Sequence, residues 1–156
     1  LMISNKWLNM IVGGLAAIVL MACGSQMTIK RVNYSQSLET VVQPADNGKV
    51  EDVKHGLTFN IKPIQYAETQ DTSSVTTDKI HLIRGAKGYY FVTAPGYSNV
   101  YIMTPETGSL KLHKKVHITD NGIDKPAFNQ RDPYIQLINQ DTGQSYRLTE
   151  KGIQTQ

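Results

Sequence analysis

The residues with the widest chemical range in this chain of 156 amino acids are its single cysteine, Cys23, and a run of bases, Lys111, His113, Lys115 and His117, with Lys114 beside them. A thiol forms thioethers, ligates metals or attacks as a thiolate. His113 and His117 stand four apart, a spacing that puts two imidazoles on one face of a helix, where they would chelate a metal. Leu110, Leu112, Val116 and Ile118 alternate with the bases, however, and that period of two indicates a strand. At about 3.3 Å per residue the two histidines would then be about 13 Å apart, too far to share one ion. No metal site is assigned. The alternation puts Lys111, His113, Lys115 and His117 on one face, which has two readings. It is a basic surface for the phosphate or carboxylate groups of a glycolipid, phospholipid or glycan, strengthened below about pH 6.5 as the histidines protonate. Otherwise it is a solvated strand face whose charges discourage edge-to-edge aggregation.

Other candidate groups are weaker. Tyr89, Tyr90, Tyr97, Tyr101, Tyr134 and Tyr146 concentrate in the apolar runs, where most belong to a core and at most two would be contact residues for a sugar or protein. His55 and His81 stand alone and read as packed or solvated side chains. Asp120, Asp124 and Asp132 lack the spacing of a helix-loop-helix calcium site. There is no Gly-x-Ser-x-Gly elbow, phosphate loop, dinucleotide fingerprint or zinc-protease motif. Acids such as Glu68 and Asp71, or Asp120 and Asp124, form no recognisable pair. No catalytic residue and no cofactor is assigned.

The elements that must position these groups are mostly strands. Ser35 to Gln43 suits a short helix or a strand, ended by Pro44 and the turn residues Asp46-Asn47-Gly48. Leu57, Phe59 and Ile61 alternate with Thr58, Asn60 and Lys62 as a strand with one wet face, and Pro63 ends it or places it at an edge. Thr69 to Asp78 is a polar loop. Ile80 to Arg84 is a strand, Gly85 to Gly88 a tight connection, and Tyr89 to Ala94 and Val100 to Thr104 are apolar on both faces, as a central hairpin would be. Pro105-Glu106-Thr107-Gly108 turns the chain into the basic strand. Thr119 to Pro133 reads as a long irregular segment with Phe128 as its anchor. Tyr134 to Asn139 and Ser145 to Thr149 form a hairpin around Asp141-Thr142-Gly143, and Gly152 to Gln156 is an edge strand or tail. These runs predict an all-β fold, a small antiparallel sandwich or partly open barrel of about seven or eight strands, in a single β-rich domain over 35–156.

The start of the chain has a different character. Met10 to Ala22 is an apolar run preceded by one charge, Lys6; it is shorter than the roughly 20 residues that cross a bilayer and suits the core of a secretory signal peptide. It ends in Leu20-Met21-Ala22-Cys23, followed by Gly24. This stretch resembles the lipobox of bacterial lipoproteins, with Leu three places before the cysteine and a small residue directly before it. The resemblance implies that 1–22 is a lipoprotein signal peptide cleaved before Cys23. It also implies a diacylglyceryl thioether on Cys23, an acylated new amino terminus, and a short tether over 23–34. A residue other than Asp after the cysteine implies sorting to the outer membrane, periplasmic side, where the source has one. Two or three acyl chains, at about 0.8 kcal/mol per buried methylene, hold a protein at a membrane effectively permanently.

With Cys23 lipidated, no thiol is left for a disulfide or a nucleophile. The formal charge of +3 includes Lys6 and is too small to argue for nucleic acid as a partner. The function expected from the sequence is a lipid-anchored, non-enzymatic binding or accessory module for an envelope protein complex. Two alternatives are binding of an anionic glycolipid or peptidoglycan through Lys111 to His117, and an envelope hydrolase with an unrecognised site.

Overall fold

A computed structural model describes residues 38–155. The leader 1–22, Cys23, the tether 23–34 and the first residues of the Ser35–Gln43 segment lie outside the described residues. Within them the architecture follows from β5 (Tyr90–Thr93), whose four residues are all buried. Tyr90 and Val92 enter one apolar core and Phe91 enters another. Side chains alternate across a strand, so a strand apolar on both faces needs a layer on each. β5 is the middle of a five-stranded antiparallel sheet in the order β1 (Thr40–Val42), β4 (Ile80–Arg84), β5, β6 (Asn99–Glu106) and β7 (Ser109–His117).

The face that carries Tyr90 and Val92 is covered by the hairpin β2 (Lys49–Asp52) and β3 (Leu57–Asn60) and by the helix α1 (Lys62–Thr69). These supply Val50, Leu57, Phe59, Ile61 and Ile64 to the first core. The face that carries Phe91 is covered by a four-stranded antiparallel sheet in the order β11 (Gly152–Ile153), β10 (Ser145–Thr149), β9 (Tyr134–Asn139) and β8 (Pro126–Arg131). It supplies Phe128, Ile135, Leu137 and Leu148 to the second core. The fold is an all-β sandwich of antiparallel sheets without a closed barrel, as the apolar runs imply.

The structure adds to the sequence reading at three points. The Ser35–Gln43 segment contains a strand, β1, because its backbone pairs with β4. β2 precedes the first strand expected after Gly56, and β8 lies inside the segment read as irregular, so the described residues carry eleven strands where about seven or eight were expected. The second of these, β8, is the less readable. Its sequence, Pro-Ala-Phe-Asn-Gln-Arg, does not alternate cleanly; the order comes from β9, to which Asp132-Pro133 connects it so directly that Arg131 pairs with Tyr134. The third is α1, which the sequence reading did not contain. β3 ends at Asn60, short of the expected Ile61 and Lys62, because Ile61 caps a helix that begins at Lys62 and holds Pro63 in its first turn, where a missing N–H leaves no hydrogen bond unmade. The helix stops at Gln70, which adopts the left-handed conformation with φ 60°. Among the described residues no helix is long and apolar enough to cross a membrane.

Candidate functional site

The basic strand is β7, the last strand of its sheet, and it is not regular. Tyr101 pairs with Lys115 and Ile102 with Lys114, but Met103 pairs with Leu112, so His113 is an extra residue at a β-bulge. Tyr101 and Met103 face the first core, and Val100 and Ile102 the second. The bulge therefore puts Lys115 on the same side as Leu112 and Leu110, where strict alternation would put it on the opposite side. Lys111, opposite Thr104, and Lys114, opposite Ile102, belong to the second-core side; His113 packs there against Tyr89, ring centroids 4.9 Å apart. His117, opposite Asn99, is on Lys115's side and contacts Asp120 at 3.0 Å. The four bases are all exposed, yet they do not form one face. Lysines and a bulge on an outermost strand are also a recognised defence against edge pairing.

On the first-core side the rearrangement completes a groove of about 470 Å³, within the range of small-molecule sites, about 300–1,000 Å³. Tyr101 and Met103 form its floor, Pro63, Ile64 and Ala67 of α1 one wall, and Leu110 and Leu112 of β7 the other; Phe59 closes it, and Asn60, Ser109 and Lys115 are its polar members. Leu112 is 52% exposed, a large apolar side chain held open to solvent at the groove's edge. Lys115 forms no ion pair among the described residues, whereas Lys111 reaches Glu106 at 3.8 Å.

The α1 wall is fixed by its own polar groups. Glu68 Oε1 accepts hydrogen bonds from Tyr101 Oη at 2.6 Å and Asn99 Nδ2 at 2.8 Å, and Oε2 accepts one from the Ser98 N–H at 2.9 Å. Burial, and then the Glu68 carboxylate, push the Tyr101 phenol far above its ordinary value, so it stays protonated and donates. With its hydroxyl committed to Glu68, Tyr101 presents an apolar ring to the groove. Tyr97 is pushed up to about 12 by burial first and Glu68 second. Gln65, fully buried, donates to the carbonyls of Asp71 and Ser74 and accepts from the Thr76 N–H, which holds the loop after α1.

His55 and His81 are each held by a carboxylate of the fold. His55 Nδ1 meets buried Asp52 at 2.5 Å, with its ring edge-on to Tyr90. His81 Nδ1 meets Glu39 Oε1 at 2.8 Å, and the same oxygen accepts the Phe128 N–H, linking the flank of β1 to β8. Glu68 is engaged by Ser98, Asn99 and Tyr101 while Asp71 accepts the Ser73 N–H, and Asp120 and Asp124 are exposed. Among the described residues no three His, Asp or Glu side chains are placed to hold a metal.

No protein-family model, curated protein or solved structure matches the chain. The site must be read from its own chemistry. Sequence reasoning singled out Lys115 and weighed Glu68 only as a possible partner of Asp71, and it missed Ile64 and Ala67, because the helix that carries them was not foreseen. The one signal for that helix was Pro63 followed at helical spacing by Ile64, Ala67 and Glu68.

Proposed function

We propose that the chain is a lipid-anchored envelope protein, held at a membrane through Cys23, whose β domain is a non-enzymatic module that binds an apolar group in the groove between α1 and β7. The supporting observation is the lining of that groove: apolar on its floor and both walls, with Asn60, Ser109 and Lys115 as its only polar members. Binding sites are mostly apolar with few polar groups, whereas catalysis needs convergent acids, bases or nucleophiles. The polar residues around Glu68 are already engaged with one another and brace α1. Tethering raises the local concentration of envelope partners, so modest affinity suffices.

A basic face along all of β7 has less support. An extended anionic glycan lying on one side of the strand meets Lys111 and His113, or Lys115 and His117, and not all four.

The anchor is tested by labelled palmitate, which should enter the wild-type chain and not Cys23→Ser. The groove is tested on residues 23–156 carrying Cys23→Ser, so that no attached acyl chain competes. Nile red, an uncharged apolar dye, should bind saturably with blue-shifted emission, lose binding in Ala67→Trp, whose indole fills the groove, and bind more weakly to Leu112→Gln. Equal binding to wild type and to a folded Ala67→Trp variant would place the dye elsewhere and refute the groove.

A further inference from the structure

The bulge at His113 has a consequence for ligand chemistry. From Leu110 and Leu112 an unbroken strand would carry Lys114 on the groove side and turn Lys115 away. The extra residue reverses this and delivers the exposed Lys115, unpaired among the described residues, to the end of an apolar track. That track follows β6 from Pro105, opposite Leu110, past Met103, opposite Leu112, to Tyr101, opposite Lys115. Four residues at about 3.3 Å make it about 13 Å long. Apolar side chains line its length, the Tyr101 hydroxyl is occupied by Glu68, and a positive charge stands at one end.

We infer that the groove takes a single-chain fatty acid, its acyl chain lying along Leu110, Leu112 and Met103 and its carboxylate paired with Lys115. The inference rests on the groove being the binding site. An apolar track with one cation at its end is complementary to a molecule with a long apolar body and one anionic head. A carboxylate is favoured over a phosphate because Lys115 is a point charge and the other base on its side of the strand, His117, is engaged with Asp120 at 3.0 Å. The two bases that precede it, His113 and Lys114, project from the opposite side, and Lys114 Nζ is committed to the Lys151 carbonyl at 2.6 Å.

The test measures laurate, dodecanol and dodecyl phosphate by displacement of Nile red from residues 23–156 with Cys23→Ser, in four backgrounds: otherwise unchanged, Lys115→Met, Lys111→Met and Ala67→Trp. The pairing of a partly exposed charge implies that Lys115→Met weakens laurate about tenfold and leaves dodecanol unchanged. Lys111→Met, on the other side of the strand, should leave both unchanged. If laurate and dodecanol bind alike and Lys115→Met alters neither, the groove stands and the carboxylate assignment fails. An equal loss of laurate in Lys111→Met also overturns the assignment, since it shows a diffuse basic field and not a head-group partner. Dodecyl phosphate binding more than about tenfold tighter than laurate replaces the carboxylate with a phosphate head. If Ala67→Trp binds laurate as the unchanged protein does, the groove itself is refuted.

Discussion

Glu68 satisfies three donors with two oxygens, and two of those donors, Asn99 and Tyr101, belong to buried residues of β6. Removing the carboxylate leaves them without a partner, and an unpaired buried donor costs about 1–3 kcal/mol. Glu68→Ala should therefore lower the urea midpoint by an amount worth about 2 kcal/mol, and Glu68→Gln, which keeps one acceptor oxygen, by less. An unchanged midpoint in Glu68→Ala would show that α1 is not braced this way. Tyr97 gives a pH signature at the same scale. Its phenol is raised from 10.0 to about 12, so the folded chain keeps this proton after the unfolded chain has lost it. Stability from this group is then fully present below pH 10 and falls as pH rises from 10 towards 12. Urea midpoints measured over that interval should fall less steeply in Tyr97→Phe than in wild type. The phenol's environment was not legible in the sequence, because Glu68 and Tyr97 approach only through the packing of α1 on β6.

At the scale of elements, the turn before Ile123 brings backbone close against backbone. Gly122 has φ +74°, and a Cβ there would lie 2.5 Å from the Gly96 carbonyl oxygen, while Ile123 pairs with Tyr97 across the same contact. Gly143 has nearly the same φ, +73°, and nothing within 4 Å. The backbone penalty for a left-handed alanine, about 1 kcal/mol, applies to both, and the clash to Gly122 alone. Gly122→Ala should thus destabilise at least about twice as much as Gly143→Ala, measured by thermal or urea unfolding. Equal effects would mean that the contact with Gly96 relaxes freely. Such long-range contacts explain what the sequence did and did not disclose. Strands β5 and β6 were legible because both of their faces are apolar. β7 was legible as a strand, but its faces were not: Leu112 and Val116 share a parity and would share a side, yet the bulge sends Leu112 to the groove and Val116 to the second core. Polar residues on an outermost strand fit either register, so nothing in the pattern marked the extra residue.

For the whole molecule, one sheet with an apolar core on each side makes the all-β class readable from composition and period alone. The groove was not readable, because its walls come from Ile64 and Ala67 on one side and Leu110 and Leu112 on the other, brought together only by the layer that α1 adds. The proposed lipid at Cys23 would keep this groove in the neighbourhood of a membrane, where amphiphiles are concentrated. The measurement that bears most directly on the account is the methyl resonance of Met103 in residues 23–156 with Cys23→Ser. Met27 and Met103 are the methionines after Cys23, so ¹³C-methyl labelling gives a two-line spectrum that Met103→Leu assigns. Titration with laurate should move the Met103 line saturably, with the same midpoint as dye displacement. Laurate that displaces the dye and leaves Met103 unmoved would place the ligand elsewhere and contradict the account.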